Sequence, residues 1–408
     1  MLDLPLLLVQ LFVVLAAART AGSLARAVGQ PRVVGEMTAG VVLGPSVFGA
    51  LAARPAAALF PPERLAPLSV LSQIGVLLFM FVVGLRLDLG ALGGRTRAIV
   101  LTSQASLAAP FLLGLAIAPR LYPELAGPRV PEHIFALFVG VMLSVTAFPV
   151  LACIVAERRL TGTRVGAVAL ASAAADDVIA WCVLGGVVAV ARAGGAWAGL
   201  ASLAAAAAYG AFAVLVGRRA LARLFAGAQR GATPEHVSLA VLVAIGSGLV
   251  TERIGVHALF GAFLAGAVMP RAGGFADGLA GRLDPLVTAV LLPIFFAFTG
   301  LHTSVALIDS APRWRAGGLV LGAAVAGKLA GTAVASRAAG MSWREALSIG
   351  ALMNTRGLME LAVATIALDA GVISPALFTI IVLMALVTTA MASPLLARVG
   401  APVSHAVT

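Results

Sequence analysis

Two adjacent carboxylates, Asp176 and Asp177, stand in the middle of the apolar run VGAVALASAAADDVIAWCVLGG. Neighbours on a helix point about 100° apart, so one can face a cavity while the other meets an adjacent helix. Two carboxylates at that depth in a bilayer cannot both ionise without a cation or an ammonium nearby. Binding and release of a small cation or a proton is the chemistry this requirement suggests. The only lysine in the chain, Lys328, lies in a comparable setting, GAAVAGKLAGTAV. A desolvated lysine can give up its proton, whereas Arg356 in SIGALMNTRGLMELAV can only compensate charge or hold geometry. Glu360 follows Arg356 by four residues, the spacing of a helical ion pair. Ser144, Thr146, Asn354 and Thr355 add neutral oxygens of the kind that surround a partly dehydrated alkali ion. Hydroxyls are the weaker part of the signal, because serine and threonine commonly bond back to their own helix. No metal-ligand cluster, nucleophile elbow or phosphate loop accompanies them, so no enzyme chemistry and no resident cofactor is expected.

The elements that position these residues follow from composition. Of 408 residues 61% are hydrophobic and 11% charged, against about 25% charged in a soluble domain. With a mean hydropathy of +1.05, the chain reads as an all-α polytopic membrane protein in contact with the lipid bilayer. Apolar windows predict about thirteen transmembrane helices, near 3–19, 33–52, 66–85, 98–119, 133–155, 164–190, 196–216, 236–251, 255–270, 286–302, 316–336, 345–368 and 374–397. The first run lacks a basic leader and reads as a retained helix rather than a signal peptide. Cys153 and Cys182 both fall in apolar runs and make no disulfide framework.

Thirteen spans put the termini on opposite sides. With the N-terminus outside and the C-terminus cytoplasmic, eighteen loop arginines lie inside and eight outside. That bias satisfies the positive-inside rule and explains the net charge of +11 as topology, with no nucleic-acid surface implied. Residues 217–235, with Arg218, Arg219 and Arg223 beside Leu221, Leu224 and Phe225, fit an interfacial linker helix. The short stretch after the last span is read as carrying no regulatory domain.

The runs MLSVTAFPVLACIV and SIGALMNTRGLMELAV interrupt apolar helices with polar residues and Pro or Gly. Broken helices at membrane depth are tolerated only where they line a cavity or are buried in protein. The two fall in the fifth helix of each of two six-helix sets flanking the linker, which points to inverted repeats, each with one discontinuous helix. The loops divide each half in two, at 1–95 and 96–191 before a linker at 192–235, and at 236–311 and 312–398 after it, with 399–408 as a tail. Small residues at Gly40 and Gly44, and at Ala258, Ala262 and Gly266, favour close helix packing and are candidates for a dimer interface.

With these residues in hand the sequence resembles the monovalent cation:proton antiporter-2 family over nearly its whole length. The stretches that carry the likeness are VVGEMTAGVVLGPSVFG, IGVLLFMFVVGLRLDL, LSVTAFPVLACIVAE, ADDVIAW, GVHALFGAFLAGAVMP, LLPIFFAFTGL and MNTRGLMEL, in the family's order. The resemblance implies an NhaA/NapA-like antiporter fold with two crossed discontinuous helices, in which 1–95 and 236–311 form a dimerisation scaffold and 96–191 and 312–398 an ion-translocation core, a homodimer, and exchange by an elevator-like movement of the core against the scaffold. It makes Asp177 the essential ion- and proton-binding carboxylate and Asp176 the preceding acid, paired with Lys328 as in NapA-type sodium/proton antiporters. It also brings Thr146 and Asn354 to the two helix breaks. The expectation is therefore electrogenic Na⁺/H⁺ exchange in a bacterial inner membrane, with K⁺/H⁺ or electroneutral exchange as the alternative. A channel or an organic-anion transporter of related fold is more remote. An intramembrane aspartyl protease is disfavoured because its two acids must face each other from separate helices.

Overall fold

Where water cannot satisfy the backbone, a spanning segment must satisfy it internally, and each expected apolar segment is helical in the computed structural model. The structure describes residues 3–86, 96–160, 163–192, 196–226, 232–255 and 257–400. Arg95, Arg230 and residues 401–408 of the expected tail lie outside the described residues. The chain begins with α1 (Leu4–Ala27), α2 (Arg32–Leu51), α3 (Ala66–Arg86) and α4 (Arg97–Leu125). The short α5 (Glu132–Ser144) and α6 (Phe148–Glu157) follow, then α7 (Arg164–Val188) and α8 (Ala204–Leu224). Next come α9 (Pro234–Ile254), the short α10 (Ala258–Ala267), α11 (Ala272–Leu307) and α12 (Ala311–Ala338). A pair bent by 42°, α13 (Trp343–Met353) and α14 (Leu358–Asp369), precedes α15 (Pro375–Val399).

Among the described residues ten helices are long and apolar enough to cross a membrane, or eleven with the bent pair. The expected count of thirteen is larger because a hydropathy window registers composition without length. Two of its windows fall on the broken α5–α6 segment and on the ten-residue α10. The expected interfacial linker also differs: Arg218–Leu224 is helical but prolongs α8 without a break, through one wide turn at Ala213–Gly217.

By proximity the chain divides into two units. Unit 1 comprises Met1–Leu11, Pro61–Asp88 and Trp181–Phe298, and unit 2 comprises Phe12–Phe60, Leu89–Ala180 and Thr299–Thr408. Residues 12–60, expected as part of the dimerisation scaffold at 1–95, group by proximity with the segments that carry Asp176 and Lys328. Glycine packing supplies the reason: the backbone at Gly40 and Gly44 abuts Gly300 so closely that no Cβ fits between them. Within unit 1, Gly84 of α3 and Gly266 of α10 meet in the same way, and Ala262 is fully buried. Both small-residue motifs are therefore used inside the protomer.

Candidate functional site

The two expected helix breaks lie in unit 2 and are joined to each other. Between α5 and α6 the chain is non-helical at Val145, Thr146 and Ala147, with Val145 extended. Between α13 and α14 it leaves the helix at Asn354–Gly357. Gly357 adopts φ 157°, outside what side chains readily accept, and provides the sharp entry into α14. The Ala147 N–H donates to the Thr355 carbonyl at 3.1 Å, so each break satisfies part of the other.

A half-helix that ends in an apolar interior leaves carbonyls without partners and a partial negative charge. Arg356 answers both at the end of α5. Its Nη1 donates to the Met142 carbonyl at 3.0 Å and its Nη2 to the Leu143 carbonyl at 2.6 Å. Nη1 also bonds Glu360 Oε1 at 3.1 Å, and both side chains are fully buried. Glu360 lies in the first turn of α14, where a helix favours negative charge. Thr389 fixes the Arg356 backbone by accepting from its N–H at 3.0 Å and donating to its carbonyl at 2.5 Å.

A second buried cluster surrounds Asp176. Its Oδ1 accepts from Ser103 at 2.6 Å, and its Oδ2 accepts from Ser106 and, at 3.2 Å, from Thr146. Lys328 Nζ lies 3.7 Å from the same Oδ2 and donates to Ser106 at 2.9 Å and Thr146 at 2.5 Å. The two hydroxyls thus stand between ammonium and carboxylate, and they distribute the pair's attraction over four short contacts. Lys328 occupies a wide, π-type turn at Ala326–Ala330, the kind of local distortion that re-aims a side chain within a helix. Removal of one bridge should be measurable. Ser106→Ala leaves one charge-assisted bond to each partner unmade and is expected to lower stability by about 1.5–3 kcal/mol, read as a drop in thermal unfolding temperature in detergent that Ser106→Thr largely restores.

Asp177 differs from its neighbour. It is 1% exposed, and neither carboxylate oxygen has a hydrogen-bond partner among the described residues. Asn354, at the second break, is likewise fully buried with both amide atoms unpartnered. If every group is charged, Asp176 balances Lys328 and Glu360 balances Arg356, which leaves Asp177 as the unbalanced negative charge. An isolated carboxylate is costly at this depth, so the arrangement calls for a proton or a small cation at Asp177.

Of the residues singled out from sequence, the structure brings Asp176, Thr146 and Lys328 together, pairs Arg356 with Glu360, and leaves Asp177 and Asn354 with free polar atoms. Ser144 and Thr355 direct their hydroxyls to carbonyls three residues back, Val141 at 2.9 Å and Leu352 at 2.8 Å. Ser103 and Ser106 went unrecognised in the sequence. Their signal is faint: polar residues at 102, 103, 104 and 106 in an otherwise apolar helix, with 103 and 106 at helical spacing.

Comparison with known proteins gives consistent matches along the chain. The family model described as sodium/hydrogen exchanger, transmembrane, matches residues 12–399. The Na⁺/H⁺ antiporter NhaS4 of Synechocystis is 37% identical over 403 residues, covering 98% of both chains. Cation/H⁺ antiporter 17 of Arabidopsis thaliana is 37% identical over 404 residues, 98% of this chain but 49% of the plant protein, so this chain spans about half of that relative's length. Among solved structures, the sodium proton antiporter MjNhaP1 of Methanocaldococcus jannaschii superposes with a TM-score of 0.67 at 15% identity, covering 96% of this chain and 97% of that one. This last likeness concerns the fold.

Proposed function

Since the chain belongs to the sodium/hydrogen exchanger family, a multi-pass membrane family of cation/H⁺ antiporters, we propose that it exchanges Na⁺ for H⁺ at Asp177. The observation that carries this reading is the contrast between two adjacent acids: Asp176 is neutralised by Lys328 and three hydroxyls, while Asp177 is buried with both oxygens uncommitted. Na⁺ and H⁺ compete for that carboxylate. Either one neutralises it, and the neutral site can cross the apolar barrier; an empty, charged site is held back by the cost of carrying a bare carboxylate through hydrocarbon. This requirement enforces exchange over leakage. In this reading Asp176, Thr146, Ser144 and Asn354 supply the oxygens that replace part of the ion's hydration.

The Asp176–Lys328 pair makes the exchange electrogenic in this proposal. Its direct N···O separation is 3.7 Å with hydroxyls between, so Na⁺ arriving at Asp177 can draw Asp176 away and release a proton from Lys328. Two H⁺ then move per Na⁺. A potential of 100 mV contributes about 2.3 kcal/mol per net charge, against about 1.4 kcal/mol for one pH unit, so such an exchanger extrudes Na⁺ even into an alkaline exterior. The remainder of the proposal is architectural. The chain crosses a bacterial inner membrane thirteen times, counting α5–α6 and α10, with its N-terminus outside and C-terminus in the cytoplasm. Two inverted repeats cross at the breaks. The ion-translocation core that holds Asp177 moves as an elevator against the dimerisation scaffold of a homodimer.

The test is reconstituted flux. Proteoliposomes given pulses of Na⁺, Li⁺ or K⁺ are expected to release trapped protons with Na⁺ most strongly, and an imposed potential is expected to change the rate. A K⁺ response exceeding the Na⁺ response would replace the ion. Indifference to potential would remove electrogenicity, and no proton movement with any cation would remove the reading.

A further inference from the structure

The cation site leaves a set of buried hydroxyls without a role. Serine and threonine in apolar helices ordinarily return their hydroxyl to a carbonyl one turn back. Thr38, Ser348, Thr365 and Thr388 do so here, bonding Val34, Arg344, Leu361 and Met384 at 2.7–2.8 Å. Between α4, α7 and α12 of unit 2 the habit fails. Thr102 Oγ1 and Ser336 Oγ meet 3.0 Å apart across α4 and α12. Ser172 of α7 donates to the Ile99 carbonyl of α4 at 3.3 Å. Thr332 of α12 is fully buried, and its hydroxyl has no partner among the described residues.

Helix register aligns these hydroxyls. α12 runs antiparallel to α4, since Gly327 packs on Pro110, Gly331 on Ala109 and Ala105, and Ser336 on Thr102. Thr332 therefore sits between the level of Lys328 and Ser106 and the level of Ser336 and Thr102. α7 runs parallel to α4, with Ser172 at Ile99 and Asp176 at Ser103 and Ser106. Successive levels on one helix, four residues apart, are separated by about 6 Å of rise. The result is a column of hydroxyls leading from Asp176 and Lys328 to the end of the bundle where α4 and α7 begin and α12 finishes. Exposed Arg97, Arg164 and Arg337 mark that end.

We propose that Thr102, Ser172, Thr332 and Ser336 form a proton path between the aqueous face at this arginine-marked end and the Asp176–Lys328 cluster, distinct from the route of the cation to Asp177. The proposal rests on the exchange reading above. Each hydroxyl accepts a proton on an oxygen lone pair and passes its own hydrogen to the next group, which for Ser172, bonded to the Ile99 carbonyl, requires its O–H to rotate; steps longer than a hydrogen bond require water to enter from the aqueous face. Only O–H bonds form and break, one proton leaves for each that enters, and nothing is oxidised or reduced. A metal cation cannot follow, because two hydroxyls in contact at 3.0 Å leave it neither space nor the several oxygens that must replace its water.

The alternative is that these hydroxyls only hold helices together, and Thr332→Val separates the two. Removing a buried hydroxyl that has no partner is neutral or stabilising if its role is packing. As part of a path, its loss is expected to slow cation-driven proton release in proteoliposomes about tenfold or more. The solvent deuterium isotope effect should rise, the half-saturating Na⁺ concentration should stay unchanged, and Thr332→Ser should restore the rate. Ser336→Ala is expected to show the same slowing and serves if Thr332→Val does not fold. Wild-type exchange with both valine and alanine variants matching it in rate and isotope effect would overturn the path alone, whereas absence of exchange in the wild type would overturn the reading beneath it.

Discussion

Asp177→Asn is expected to reduce cation-driven proton release in proteoliposomes to the background of protein-free vesicles. The substitution keeps the shape of a fully buried side chain and removes its charge, which is the unbalanced one in a set where Asp176 pairs with Lys328 and Arg356 with Glu360. Placing a charge at mid-membrane depth costs about 2.5–3.5 kcal/mol, and losing an attraction that offsets a cost of that size weakens ion binding about 60- to 300-fold. The amide can neither take up a proton nor offer the cation a full negative charge, so the competition that couples the two fluxes disappears. Stability should move the other way. Neither oxygen of Asp177 is hydrogen-bonded among the described residues, and replacing an uncompensated carboxylate with a neutral group is expected to raise the thermal unfolding temperature or leave it unchanged. The joint outcome is diagnostic: silent flux with intact folding places Asp177 in transport, while wild-type flux would shift the exchange site elsewhere. Asp176→Asn is the informative companion, because it strands Lys328 and three hydroxyls and should lower stability where Asp177→Asn does not.

The contrast between these residues shows how much of the site the sequence carried. Asp176, Asp177, Lys328, Arg356 and Glu360 stood out because hydrocarbon tolerates almost no unpaired charge, so five ionisable groups in apolar runs mark themselves. The breaks at Thr146 and Asn354 stood out similarly, as polar residues beside Pro or Gly in segments otherwise fit to be helical. Ser103 and Ser106 did not. A hydroxyl that bonds its own helix and one that bridges a lysine to an aspartate have the same composition signal, and only the approach of α4 to α7 and α12 distinguishes them. The π-type turn that presents Lys328 is likewise set by packing, with Gly327 and Gly331 letting α12 close on Pro110 and Ala109. The grouping of residues 12–60 with unit 2 depends on Gly40, Gly44 and Gly300 meeting backbone to backbone, a long-range contact that local patterning does not encode.

Arg356→Ala is expected to be the most destabilising single change in unit 2. The guanidinium bonds the Met142 and Leu143 carbonyls and Glu360, all in a fully buried setting. Its removal leaves Glu360 charged without a partner and reopens the carbonyl end of α5 at a depth where water does not reach. Breaking a buried pair from one side costs about 3–5 kcal/mol, a large part of the roughly 5–15 kcal/mol that separates folded from unfolded states of a typical domain. Arg356→Lys should recover little, since an ammonium cannot span two carbonyls and a carboxylate in one plane as the fork does. Removing both charges is the decisive variant. Arg356→Met with Glu360→Met eliminates the stranded carboxylate, so it should be more stable than Arg356→Ala while still lacking the cap on α5. The measurements are thermal unfolding of the purified protein and, for the double variant, reconstituted flux. A double variant that regains stability but not flux would show that the Arg356–Glu360 pair is needed for exchange itself, by holding the two breaks together around Thr146 and Asn354 or by compensating charge there. Equal stability of Arg356→Ala and wild type would mean that the α5 carbonyls are satisfied by water, and that the crossing is a wet cavity and not a sealed joint.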